Sequence, residues 1–178
     1  MALREIRLEG DPILYKQARP VEKMTERMKT LVDDMLDTMY DGEGIGLAAP
    51  QVGILRRIFV IDTSEEDEEK DPLIFINPEV LETKGEQKGS EGCLSVPGKI
   101  ANVIRPSYVR IKACDKDMRE FILEAEEVLA RVILHEYDHL DGHLYPEKAE
   151  GPLMDIEEVD EDQDVEMKGK KPLKVEWL

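Results

Sequence analysis

Positive charge is what this chain most lacks. Its 178 residues carry 24 Lys and Arg against 41 Asp and Glu, a formal net charge of −17. A surface that acidic argues against tight nonspecific binding to nucleic acid or to an anionic membrane. Cysteine is nearly absent too, with two in the whole chain. With no export signal in view, two cysteines read as reduced thiols of the cytoplasm and not as a disulfide framework. The opening Met1-Ala2-Leu3-Arg4-Glu5 lacks the apolar stretch of a secretory signal and is unlike an acid-poor transit peptide. No run of residues approaches the length of a membrane span, and no internal repeat is visible.

What remains suits one globular domain. Hydrophobic residues make up 41% of the chain, and this length can bury a core without metal or disulfide staples. Much of the excess acid sits in two places. Residues 64–71 hold six acids and one lysine, and residues 155–166 hold eight acids and no base. Outside these blocks the net charge is only −4. The first block lies between two strand-like runs, residues 57–62 and 73–77, and reads as an exposed hairpin loop. The second reads as a solvated tail. Lys168, Lys170 and Lys171 follow it, and residues 172–178 could form an edge strand anchored by Trp177. The expected division is a catalytic domain over residues 1–150 and an acidic tail over 151–178.

Two helices are expected. From Met24 to Met39 the apolar residues Met24, Met28, Leu31, Val32, Met35, Leu36 and Met39 recur in steps that place most of them on one helical face. Thr25 suits its N-cap and Gly42 its end, and the methionines read as core packing. A second helix is expected from about Glu124 to Leu140. Glu124, Glu126 and Glu127 would favour its N-terminal dipole, and Gly142 its exit. Its middle, residues 128–134, looks apolar on nearly every side, which predicts a helix buried at the centre of the domain. Between the helices lie strand-like segments such as residues 108–113, which alternate cleanly. The fold class expected is α+β, with short, mostly antiparallel strands in small sheets around the central helix.

That central helix carries chemistry. All three histidines fall within nine residues, at His135, His139 and His143. The run His135-Glu136-Tyr137-Asp138-His139 is H-E-x-x-H. Four residues of helix rise about 6 Å and overshoot one turn by about 40°, so both imidazoles share a face and can clasp one divalent ion. Glu136 stands one step round the helix, close enough to accept a proton from water at the ion without being a ligand. The third ligand decides the class. Gly142 is expected to end the helix before His143, which reads as a surface residue, and Tyr145 stands where a longer metallopeptidase motif would need histidine. Cys93, in Glu91-Gly92-Cys93-Leu94-Ser95, is the better candidate, because one thiolate with two imidazoles leaves a catalytic position open on zinc or iron. Cys114 reads as a small core residue. A peptidase cutting internal bonds and a structural metal site stay open as alternatives.

Gly44-Ile45-Gly46-Leu47-Ala48-Ala49-Pro50-Gln51 formally fits a dinucleotide fingerprint, but it follows a helix instead of a strand, and Pro50 falls where a phosphate-binding helix should run. It reads better as extended backbone open to a peptide. Taken in order, this segment, the Cys93 motif and the H-E-x-x-H run resemble the three motifs of peptide deformylases, and the similarity reaches from near the N-terminus to about Tyr145. The resemblance implies a cytoplasmic enzyme that removes the formyl group from the N-terminal methionine of nascent polypeptides. It implies one divalent metal, Fe(II) in the cell, with Zn(II), Ni(II) or Co(II) able to replace it. It implies Cys93, His135 and His139 as ligands and Glu136 as general base and acid. Gln51 and the backbone N–H of Leu94 would hold the oxyanion. The backbone of Ile45 and Gly46 would pair with the substrate, with Gly44 beside them in the binding site, and Ile45, Glu91 and Val132 would line the methionine pocket. An arginine near Arg105 would pair with Glu91. Two features depart from the family: Leu134 stands where Gln is usual, and the tail is acidic, which disfavours a ribosomal RNA contact through it. Transient proximity to the ribosome, no specific nucleic acid and no membrane are the partner expectations.

Overall fold

The computed structural model describes residues 2–156 and 169–178. Residues 157–168, which include most of the second acidic block and Lys168, lie outside the described residues. Helix α1 (Glu26–Asp41) forms where the apolar spacing places it, and the Thr25 hydroxyl caps it by accepting the Met28 N–H at 3.2 Å. Gly42 ends it. Strands β1 (Gly46–Ala48) and β2 (Ile58–Ile61) follow, then β3 (Leu73–Lys84), β4 (Gln87–Cys93), β5 (Val96–Arg105), β6 (Tyr108–Cys114) and β7 (Glu120–Glu126). Helix α2 (Glu127–Leu140), β8 (Ala149–Asp155) and β9 (Lys174–Trp177) complete the described elements.

The fold is α+β. A six-stranded sheet runs in the order β1-β2-β3-β6-β7-β9, and a three-stranded sheet in the order β4-β5-β8, with every neighbouring pair antiparallel. The run Ile58-Phe59-Val60-Ile61 is apolar throughout because both faces of β2 are covered. Phe59 and Ile61 join a core built with α2, while Ile58 and Val60 join one built with Met35 and Met39 of α1. The acidic residues 65–71 form an exposed connection between β2 and β3, as the charge pattern predicts.

Two boundaries differ from the sequence expectation. The strand expected over residues 73–77 extends to Lys84. At Asn77 the backbone turns left-handed (φ 52°), the ladder shifts register, and the chain continues in pairing with β6. Asn77 holds this kink by bonding both the N–H and the carbonyl of Val21, each at 2.7 Å. Helix α2 starts at Glu127, not Glu124. Phe121, Leu123 and Ala125 alternate inward while Glu124 and Glu126 pair across to β6, so period-two burial claims these acids for β7. The central burial of α2 is as expected: every residue from Leu129 to Glu136 is buried. Among the described residues, no helix is long and apolar enough to cross a membrane.

Candidate active site

Three elements bring the motifs together. Helix α2 supplies His135, Glu136 and His139, all buried. Strand β4 ends at Cys93, where a register shift after Glu91 is followed by pairing of Cys93 with Val96 across a tight turn through Leu94 and Ser95. The short 3-10 turn Ala49–Val52, packed on α2, supplies Gln51.

Cys93, His135 and His139 offer ligand atoms that all lie within 4.8 Å of one another. Cys93 Sγ is 3.4 Å from His139 Nε2. His135 turns its Nδ1 to Glu91 Oε1 at 2.7 Å, which leaves Nε2 to face the cluster. A soft thiolate and two imidazoles at this spacing fit one divalent ion with a position to spare. Glu136 stands beside them, with Oε1 4.0 Å from His135 Nε2 and Oε2 buried without a hydrogen-bond partner among the described residues. A buried carboxylate oxygen without a partner is costly unless a ligand completes it. Glycine at position 46 leaves room for this carboxylate: a Cβ there would lie 2.6 Å from Glu136 Oε1 and push it aside.

The electrostatics separate the two glutamates. Burial pushes the Glu136 carboxyl up to about 7, with His135 pulling the other way. Burial pushes Glu91 up as well, but hydrogen bonds from His135 and Arg105 outweigh it and hold the carboxyl well below its ordinary value. Arg105 grips Glu91 with Nε at 2.5 Å and Nη2 at 2.8 Å, and its Nη1 reaches Asp138 Oδ2 at 2.8 Å.

A cleft of about 1150 Å³ opens in front of this cluster. Gly44, Ile45 and Gly46, Glu91, Cys93 and Leu94, and Val132, His135 and Glu136 of α2 all line it. Gln51 lies just behind, 1% exposed. Its Oε1 accepts the Ala48 N–H at 2.9 Å, and its Nε2 donates to Ser95 Oγ at 3.0 Å while lying 3.4 Å from Cys93 Sγ. The structure thus gathers every residue singled out for the site. His143 stays outside, exposed and bonded to Glu147 at 3.1 Å. Leu134 packs in the apolar core.

The sequence profile of the polypeptide deformylase family matches residues 3–153. The chain belongs to this family. It is 58% identical over 156 residues to a peptide deformylase of Agathobacter rectalis, covering 88% of this chain and 96% of that protein. A second relative, the peptide deformylase of Lachnoclostridium phytofermentans, is 54% identical over 164 residues, 92% of this chain and 99% of its own. Among solved structures, the peptide deformylase of Thermotoga maritima superposes with a TM-score of 0.80 at 38% identity, covering 85% of this chain and 100% of that one. Like its family, the enzyme is a metal-dependent hydrolase that removes the N-formyl group from nascent peptides.

Sequence reasoning missed three supports of this deformylase site. Ser95 Oγ accepts a hydrogen bond from Gln51 Nε2. Tyr145, passed over as a ligand position, stacks its ring on His135 with centroids 5.9 Å apart. Arg131 was absorbed into an apolar run. A charge inside a wholly buried helical stretch demands a partner, and that demand was the available signal.

Proposed function

We propose that the reaction runs at the Cys93–His135–His139 cluster, with Glu136 moving the proton. The observation that carries this reading is the buried Oε2 of Glu136, unpartnered among the described residues, beside three converging ligand atoms at the cleft. A divalent ion held there would supply Lewis acidity, polarising the formyl oxygen and acidifying water. Glu136 takes the proton from the water that attacks the formyl carbon. As the carbon–nitrogen bond breaks, it returns that proton to the leaving amine, releasing formate and a free N-terminus. Gln51 Nε2, held by Ser95, and the Leu94 backbone N–H stabilise the developing oxyanion. The backbone of Ile45 and Gly46 pairs with the peptide as an added strand, and Ile45, Glu91 and Val132 bound the pocket for the methionine side chain.

Fe(II) is the metal this reading assigns in the cell, with Zn(II), Ni(II) and Co(II) accepted by the same donors. The cytoplasm is the compartment, where nascent formylated chains are made and the free thiols Cys93 and Cys114 stay reduced. Every residue given a role here lies within residues 1–150, the part read as the catalytic domain. The tail, with eight acids in residues 155–166, is not the part that would hold ribosomal RNA.

The test is formate release from formyl-Met-Ala-Ser by metal-loaded protein. Formate at a rate that collapses in Glu136→Gln supports the assignment. Internal cleavage of an unformylated peptide, or full activity in Glu136→Gln, would overturn it.

A further inference from the structure

Glu91 receives more than one arginine. Arg131 Nη1 donates to Glu91 Oε2 at 2.7 Å and to the Val103 carbonyl at 3.0 Å, and Nη2 donates to the Gln87 carbonyl at 3.3 Å. The residue is 8% exposed, so this is a charge committed to the interior with its acceptors in place. Arg131 and His135 are one helical turn apart on α2, and the same carboxylate serves both: Oε2 takes Arg131 and Oε1 takes His135. The two carbonyls belong to β4 and β5. One side chain therefore ties the central helix to the glutamate behind His135 and to both strands of the hairpin that carries Cys93. Strand β4 lies directly against it, since a Cβ at Gly89 would sit 3.1 Å from Arg131 Nη2.

We propose that Arg131 is a positioning residue of the metal centre, fixing Glu91 and the β4–β5 hairpin against α2 so that His135 and Cys93 reach the ion from set directions. The proposal rests on the reading that Cys93, His135 and His139 are the ligands. Arg105, the last residue of β5, also joins this hairpin to α2, but from the strand side and through side chains alone. Its other bond goes to Asp138, further along α2, where Lys148 also pairs at 2.9 Å. Arg131 alone of the two bonds the β4 and β5 backbone. A planar fork can serve a carboxylate and two carbonyls at once, whereas a lysine ammonium at this place cannot span all three.

The test uses Arg131→Met and Arg131→Lys in the full chain, read by chelator competition for Co(II), by the visible spectrum of the Co(II) form and by kcat and KM on formyl-Met-Ala-Ser. Losing a support behind a metal ligand typically costs about 10–100-fold in affinity or activity. Arg131→Met should bind Co(II) more weakly by that factor, with displaced absorption bands, a lower kcat and KM within about twofold. Arg131→Lys, the gentler change if the methionine variant fails to fold, should show a smaller loss of affinity in the same direction and a displaced spectrum. Wild-type affinity and spectrum in either folded variant would overturn the proposal. His135→Ala is the control for the ligand reading: if it keeps Co(II), that reading has failed, and not the role of Arg131.

Discussion

The two helices are of similar length and both are amphipathic, yet they solve opposite problems. Helix α1 spends its inner face on Leu31, Val32, Met35 and Met39, and its two buried polar residues, Asp34 and Thr38, are satisfied by Arg4 and the backbone of the N-terminal segment. Helix α2 buries Arg131, His135, Glu136 and His139 among its apolar residues. The first face is held by area removed from water, which tolerates shape-preserving change. The second is held by directed bonds around Glu91, where a missing partner strands a charge. Function sits on the helix whose buried face is least comfortable without a ligand.

The sharpest break of that contrast is Glu136→Gln on α2. It should lower kcat by about 10²–10⁴ while the melting temperature and metal content stay near wild type, checked by formate assay, calorimetry and metal analysis. Next is Gln51→Ala on the turn packed against α2. Loss of one oxyanion donor should cost about 10²–10³ in kcat with a much smaller effect on KM. Met35→Ala on α1 reverses the pattern, costing about 2–5 kcal/mol of stability by denaturant unfolding while kcat per folded molecule is retained. Smallest is Thr25→Ala, which removes the α1 cap and should cost about 1 kcal/mol with no change in activity. If Met35→Ala lowered kcat as strongly as Glu136→Gln, the division of labour between the helices would be wrong.

The same contrast governs what could be read from the residues alone. Helix α1 was legible from end to end because its apolar spacing, its Thr25 cap and its Gly42 stop agree, and no tertiary contact overrides them. The metal cluster was legible because H-E-x-x-H on a helix is a statement about one face, and Cys93 brings the donor type that completes it. The start of α2 was not. Glu124 and Glu126 look like helix-dipole acids, but pairing with β6 makes them outward positions of a strand. Arg131 was not legible as a partner of Glu91 because the two are 40 residues apart and only the packed fold joins them. Tyr145 against His135 and Ser95 beneath Gln51 are likewise products of tertiary placement, with no local pattern to announce them.

Strand β9 has a consequence for how this chain is made. It pairs along β7, Trp177 packs at a tilt against Phe121 with ring centroids 5.3 Å apart, and the Gly169 carbonyl accepts the Leu129 N–H at 2.9 Å in the first turn of α2. That helix has no side-chain cap of its own. Residues 169–178 leave the ribosome after every element they pack against. Until they arrive, β7 is an open edge, and of the first-turn N–H groups of the helix bearing the histidines, Glu127 has the Ser107 carbonyl while Leu129 lacks its acceptor. An enzyme whose substrates are chains still being synthesised thus completes the start of its own central helix only after residues 169–178 have been made.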